Sequence, residues 1–252
     1  MRIGVISDIH GNLVALNSVL SELSQHNAVD SIVCLGDVAA TGPRPHETLS
    51  RIKSANIPIV KGNRDDYLLN IDFNSTPPKN TVDDYSSSIG EIDRWCRTKL
   101  TDDDLRYIQS FPETLPMPLG SDFNECLFCF HGSPKSNTDL ITSTTPENEL
   151  ILKLMGHKDR IMTGGHSHVQ MFRRHGETAI VNPGSVGQAI ENIDGSLRVR
   201  RVPRAEYAII ECDDQGILRK VEVMRKSLVV SEILQDAISS GMPHAEWWAN
   251  RK

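Results

Sequence analysis

Five short apolar runs in this chain each give way to glycine, aspartate, asparagine or histidine. Residues 2–7 (RIGVIS) stop at Asp8-Ile9-His10, and residues 31–35 (SIVCL) at Gly36-Asp37. Residues 57–60 (IPIV) lead to Gly62-Asn63, residues 126–130 (CLFCF) to His131-Gly132, and a run near 160–163 to Gly164-Gly165-His166-Ser167-His168. Between the first two runs, Asn12 opens a segment with Leu13, Leu16, Leu20 and Leu23 on one helical face. After Pro43 and Pro45 a second helical stretch covers about 46–56. Strands separated by helices predict parallel βαβ units, in which ligands collect beyond the carboxyl ends of the strands. Residues from Asp8 to His168 would then meet at one edge of a sheet.

The rest of the chain extends this pattern. A helix is expected at about 147–155, with Pro146 at its start and Gly156 just past its end, and short strands at roughly 169–174 and 178–182. AEYAIIEC, a DDQG turn and ILRKVEVMRK read as a hairpin, followed by a helix at about 229–240. Residues 70–124 are polar, contain Pro77-Pro78 and acidic runs, and hold two expected helices at about 83–98 and 101–110. They are expected to form a helical insertion or cap within a single domain spanning 1–252.

Composition limits the alternatives. A chain of 252 residues can bury a sizeable core without disulfides, and its five cysteines suit reduced thiols. No apolar run approaches the ~20 residues of a membrane span, and Met1 leads into RIGVIS without a signal-peptide pattern, so a soluble cytoplasmic protein is expected. A net charge of −6 argues against nucleic acid as a partner, although Arg198, Arg200, Arg201 and Arg204 form a small basic cluster. The nine histidines outnumber Tyr, Phe or Cys and ask for an explanation.

Asp8, His10, Asp37, Asn63, His131, His166 and His168 offer oxygen and imidazole nitrogen without sulfur. That set suits Mn²⁺, Fe, Zn²⁺ or Ni²⁺ better than a thiolate-bound structural zinc. Seven ligands are too many for one zinc and fit two divalent ions that share a carboxylate, the arrangement used for in-line displacement at phosphorus. Two such ions, two aspartates and a hydroxide leave a local charge of about +1, which attracts anions even in a net-acidic protein.

In order, loop context and approximate spacing, these motifs resemble the calcineurin-like metallophosphoesterase superfamily, with its D-x-H, G-D, G-N-H-[DE], H and G-H-x-H pattern. Asn182-Pro183-Gly184-Ser185 resembles the turn found after the last motif in its bacterial members. The resemblance implies a four-layer α-β-β-α sandwich of two mixed sheets flanked by helices. It implies that Asp8, His10 and His168 hold one metal, that Asn63, His131 and His166 hold the other, and that Asp37 bridges them. It also implies hydrolysis of a phosphate ester by a metal-bridging hydroxide.

One position departs from the pattern. The chain reads Gly62-Asn63-Arg64-Asp65, so the histidine that would protonate the leaving group is replaced. Arginine stays charged near neutral pH and cannot serve as the acid, but its fork of donors matches a phosphate oxyanion. Arg64 and Asp37 are therefore the expected catalytic residues, and Arg64, Asn12 and Asn63 the expected substrate contacts. The other reading of Arg64 is a surface side chain paired with Asp65 or Asp66, and that of Asn12 is a helix N-cap. The expected substrate is a small-molecule or peptide phosphate ester, either a phosphodiester or an activated phosphomonoester. A protein serine/threonine phosphatase, a dinucleoside polyphosphate hydrolase and a non-catalytic scaffold on the same fold are the alternatives. Specificity is expected from 70–124 and from the Gln188 to Arg204 region. Oligomeric state is left open.

Overall fold

In the computed structural model, which describes residues 1–25, 28–74, 84–119, 125–192 and 199–250, the chain begins with β1 (Arg2–Ile6), α1 (Leu13–Ser24), β2 (Ser31–Cys34), α2 (Pro45–Ser54) and α3 (Asn63–Leu69). Then come α4 (Asp84–Lys99), α5 (Asp102–Gln109), β3 (Thr114–Pro118), β4 (Cys126–Phe130), α6 (Glu147–Leu154), β5 (Ile161–Thr163), β6 (Met171–His175) and β7 (Thr178–Asn182). The chain closes with β8 (Ile190–Asn192), β9 (Val199–Arg201), β10 (Arg204–Cys212), β11 (Leu218–Ser227), α7 (Val230–Ser239) and α8 (Ala245–Asn250). Among the described residues the strands form sheets of order β11-β10-β1-β2 and β3-β4-β5-β7-β6, with β8 and β9 as a separate pair.

Strand alternation assembles these elements into layers. In β1, Ile3 and Val5 join Leu127 and Cys129 of β4, Ile161 of β5 and Val181 of β7 in an apolar layer between the two large sheets. Ile6 points the other way, into a cluster with Leu16, Val19 and Leu20 of α1 and Leu49 and Ile52 of α2. On the far side of the second sheet, Phe128, Phe130, Met162 and Ile180 pack on Leu150 and Leu154 of α6. The result is helix, sheet, sheet, helix, the layering implied by the motifs. Each leucine buried this way contributes about 1.5–3 kcal/mol.

Local chemistry sets the helix starts. Asn12 caps α1 by accepting the Ala15 N–H at 3.1 Å, Pro45 begins α2, and Thr101 and Asp104 cap α5 reciprocally. The parallel pairs β1–β2, β4–β5 and β5–β7 bring the ends of β1, β2, β4 and β5 to one edge. Among the described residues no helix is long and apolar enough to cross a membrane.

Two expectations need correction. IPIV at 57–60 is not a strand: it contributes an isolated bridge, Cys34 to Ile59, in a run where Pro58 has no N–H to give a ladder. Within the expected helical insertion, α4 and α5 match the two anticipated helices, but Thr114–Pro118 leaves the helical segment and pairs antiparallel with β4 as an edge strand. Residues 75–83 and 120–124 of that segment, and Arg198 of the basic cluster, lie outside the described residues.

Trp248 docks on the protein's own core: it is 2% exposed, and its Nε1–H donates to the Thr41 carbonyl at 2.6 Å. Cys126 and Cys129 are both free, and Cys129 is buried between the sheets as a core residue.

Candidate metal centre

The residues that follow the strands adopt an unusual backbone. Asp8, His10, Asp37, His166 and His168 all have positive φ, between 49° and 64°. Non-glycine residues in this region cost about 1–3 kcal/mol each and persist only where their surroundings hold them. Here the surroundings are specific hydrogen bonds. The Asp8 N–H donates to the Gly36 carbonyl at 3.0 Å, and the His10 N–H to the Asp37 carbonyl at 2.9 Å, so the first two loops brace each other.

Asp65 braces the second loop. One carboxylate oxygen accepts the Asp37 N–H at 2.8 Å and the Gly62 N–H at 3.0 Å, and the other accepts the Val38 N–H at 3.1 Å. Asp65 is wholly buried, and burial together with the nearby Asp37 charge pushes its carboxyl up to about 7. The Asn182-Pro183-Gly184-Ser185 turn binds the last loop. Asn182 Nδ2 donates to the Gly165 carbonyl at 2.7 Å, and Ser185 Oγ donates to the Asp8 carbonyl at 2.8 Å.

Both aspartates are divided between fold and centre. Asp8 Oδ2 accepts the His166 N–H at 3.1 Å, while Oδ1 is buried with no hydrogen-bond partner and lies 3.2 Å from His168 Nε2 and 3.8 Å from His10 Nε2. Asp37 Oδ1 accepts the Arg64 N–H at 2.8 Å, while Oδ2 lies 3.8 Å from His10 Nε2 and 3.5 Å from His131 Nε2. Two glycines make this approach possible. A Cβ on Gly62 would stand 2.1 Å from Asp37 Oδ1, and one on Gly165 would stand 2.8 Å from Asp8 Oδ2.

The imidazoles are oriented from behind. Nδ1 of His10, His131 and His168 donates to the carbonyls of Ala40, Leu35 and Gln188 at 3.2, 2.6 and 2.9 Å. A carbonyl only accepts, so each Nδ1 carries a proton and the Nε2 edge of each ring faces the carboxylates. His10 Nε2 and His168 Nε2 stand 3.2 Å apart, and Asn63 Oδ1 lies 3.0 Å from His131 Nε2. The centre is thus a buried convergence of acceptors. Two groups, Asp8 with His10 and His168, and Asp37 with His131 and His166, each bring their ligand atoms within 4.8 Å of one another and could hold a metal ion.

The electrostatics agree with that chemistry. Burial alone would raise the Asp8 carboxyl, but His168, His131 and His10 hold it well below the carboxylate range. Asp37 is brought down to about 2 against its burial, chiefly by His131. Burial drives His10 down to about 3, whereas for His131 it is outweighed by the Asp37 carboxylate, which lifts the ring to about 10. An anionic pocket that draws a proton onto a buried imidazole is one that a cation can fill.

The remaining site residues are distributed differently from expectation. Asn12 is 2% exposed; its Oδ1 caps α1 and its Nδ2 donates to the Gly187 carbonyl at 3.1 Å, so the helix-cap reading describes what its side chain does in this structure. Arg64 pairs with neither Asp65 nor Asp66. Its guanidinium reaches Asp93 Oδ2 at 3.2 Å and packs on the Tyr67 ring, with Cζ 5.8 Å from the ring centre. Asp93, buried on α4, also accepts the Thr41 hydroxyl at 2.8 Å, and burial pushes its carboxyl up to about 6 despite Arg64. His46, which follows the Gly36-Asp37 loop, is drawn to Asp104 at 2.8 Å.

Sequence reasoning missed Asp65, Asp93 and the carbonyls of Ala40, Leu35 and Gln188. Only Asp65 carried a signal, as the acidic member of the third motif.

Comparison with known proteins gives the family. The chain is 26% identical to an uncharacterised protein of Methanocaldococcus jannaschii over 265 aligned residues, covering 99% of this chain and 96% of the relative. It is 27% identical to the crystal structure of a metallophosphoesterase from Sphaerobacter thermophilus, with a TM-score of 0.72 over 99% of this chain and 98% of that one. A symmetrical bis(5'-nucleosyl)-tetraphosphatase of Pectobacterium carotovorum is 27% identical over 121 residues, 44% of this chain and 43% of the relative. The family model of the calcineurin-like phosphoesterase superfamily domain matches residues 1–215, and the chain belongs to that superfamily.

Proposed function

We propose that this chain hydrolyses phosphate esters at a centre of two divalent cations, one held by Asp8, His10 and His168 and the other by Asn63, His131 and His166. Asp37 Oδ2, set between His10 and His131, would bridge them. The observation that carries the reading is the buried, unpartnered Asp8 Oδ1 facing imidazole nitrogens whose protons are already committed elsewhere. When bound, two such ions supply Lewis-acid charge at a phosphoryl group and a hydroxide nucleophile at neutral pH.

The chain's own residues do the rest. Hydrogen bonds from Arg64 N–H and His166 N–H fix one oxygen of each aspartate, so the other oxygen meets the centre without reorganisation. The Arg64 guanidinium, steadied by Asp93 and Tyr67 and partly exposed, is positioned to donate to a phosphate oxygen. It cannot protonate a leaving group, so esters with good leaving groups, phosphodiesters or activated phosphomonoesters, are the favoured substrates. A second reading, hydrolysis of dinucleoside polyphosphates, draws on the similarity to the tetraphosphatase over 121 residues.

The test is turnover of a phosphomonoester, a phosphodiester and a dinucleoside polyphosphate with Mn²⁺, Ni²⁺, Zn²⁺ or Fe²⁺. Turnover that Asp37→Asn abolishes supports the proposal. Bound metal without turnover on any of them would identify a non-catalytic scaffold.

A further inference from the structure

Thr41 lies in the loop between β2 and α2, immediately after Ala40, whose carbonyl orients His10. It is 4% exposed and has φ 67°, a conformation uncommon for a β-branched residue. Such a backbone persists only where its surroundings hold it, and three hydrogen bonds do so here. The Thr41 carbonyl accepts Trp248 Nε1–H at 2.6 Å and Gln188 Nε2–H at 3.0 Å. The Thr41 hydroxyl donates to Asp93 Oδ1 at 2.8 Å.

Each of these bonds leads to a different part of the molecule. Asp93 is wholly buried on α4, and its other oxygen, Oδ2, accepts Arg64 Nη1–H at 3.2 Å. A carboxyl group turns readily about its last torsion, so the bond from Thr41 fixes the direction in which Oδ2 meets Arg64. The Arg64 side chain is 37% exposed, whereas that of Asp93 is 0% exposed, so the guanidinium is held from the protein side and open on the other. Gln188 ends its side chain on Thr41, its N–H donates to Ser185 Oγ at 2.8 Å, and its carbonyl orients His168. Trp248 is 2% exposed and belongs to α8, which follows the residues 1–215 matched by the superfamily. The C-terminal helix thus reaches the surroundings of the centre through one backbone carbonyl.

We propose that Thr41 is a positioning residue: its hydroxyl, through Asp93, aims the Arg64 guanidinium at a phosphate bound at the centre, and Trp248 of α8 keeps Thr41 in its left-handed conformation. The inference rests on the proposed role of Arg64 as a donor to phosphate, and it can be measured without turnover.

The experiment is calorimetric titration with inorganic phosphate of the full-length protein, saturated with Mn²⁺ and desalted. Arg64→Met should cost about tenfold in phosphate affinity, the loss of one charge-assisted hydrogen bond. Thr41→Val keeps the branched shape and removes the hydroxyl, and should cost about fivefold; Trp248→Phe removes the indole N–H and should cost about threefold. Thr41→Ser keeps the hydroxyl and should bind phosphate as wild type does. In the Arg64→Met background neither Thr41→Val nor Trp248→Phe should weaken phosphate further, because both act through Arg64. The Mn²⁺ content of both variants should equal that of wild type. General loosening of the loop would release metal as well, since Ala40 and Gln188 orient two of the proposed ligands.

Losses that add to that of Arg64→Met, wild-type affinity in Thr41→Val, an equal loss in Thr41→Ser, or loss of Mn²⁺ from Thr41→Val would overturn the proposal. So would a wild type that takes up no phosphate. Should Thr41→Val not fold, Trp248→Phe decides by the same comparison. Non-additive losses in a protein that hydrolyses no ester would uphold the role of Thr41 and remove the phosphoesterase reading. Ester turnover with additive losses would keep that reading and remove the role of Thr41.

Discussion

The carboxylate of Asp65 accepts the backbone N–H of Asp37 at 2.8 Å, and through that bond a residue outside the ligand set holds the proposed bridging aspartate in its left-handed conformation, φ 54°. Asp65 also takes the N–H groups of Val38 and Gly62, so three backbone donors depend on one buried side chain. Asp65→Asn would turn an amide NH₂ toward some of these donors. Each buried donor left unpaired costs about 1–3 kcal/mol. Urea unfolding should show a loss of roughly 3 kcal/mol, and metal affinity should fall with it. A variant as stable as wild type would mean that Asp65 does not hold the loop.

Arg64 sits where the family pattern has histidine, on the Asn63–Leu69 helix beside Asp93. A general acid contributes about 10²–10⁴-fold, chiefly for poor leaving groups. Arg64→His should therefore raise turnover of an alkyl phosphate by at least about tenfold while changing an aryl phosphate by less than about threefold. Equal effects on both esters would count against a missing acid at this position.

Asp93 gives the stability a defined pH dependence. Its carboxyl is raised from 3.8 to about 6, mainly by burial. A raised carboxyl stabilises the fold in its protonated form, so the contribution is complete below the unfolded value and is lost as pH rises through about 6. Asp93→Asn cannot ionise. Relative to wild type it should gain roughly 2–3 kcal/mol between pH 4 and pH 7 in urea unfolding. Parallel pH profiles for the two proteins would refute the assignment.

Metal should stabilise the fold because five residues at the centre hold positive φ around a cluster of acceptors. At a hundredfold excess over Kd a ligand of the native state adds about 2.7 kcal/mol. For a chain of this size that corresponds to roughly 5–10 °C in Tm. Treatment with EDTA should lower Tm by this amount, and Mn²⁺ should restore it. A Tm indifferent to both additions would show that the acceptor cluster holds no cation.

Much of the centre was legible in the chain because polar residues that follow apolar strand runs are forced to a common sheet edge. Asp8, Asp37, His131, His166 and His168 could be found that way. The supporting residues could not. Asp93 meets Arg64 across 29 sequence positions, from the inside of a helix whose sequence gives no hint of it. Residues 114–118 read as non-strand because Pro116 and Pro118 cannot donate to a ladder, a defect that an edge strand tolerates. Of the two readings of Asn12, the helix cap is the one the structure displays, because α1 leaves the Ala15 N–H in need of an acceptor.

The central claim is that Asp37 joins two cations in one centre, and metal stoichiometry tests it most directly. Inductively coupled plasma analysis of protein saturated with Mn²⁺ and then desalted should give about two ions per chain for wild type, and one or fewer for Asp37→Asn together with loss of turnover. One ion or none in wild type, or two retained ions with full turnover in Asp37→Asn, would contradict the account.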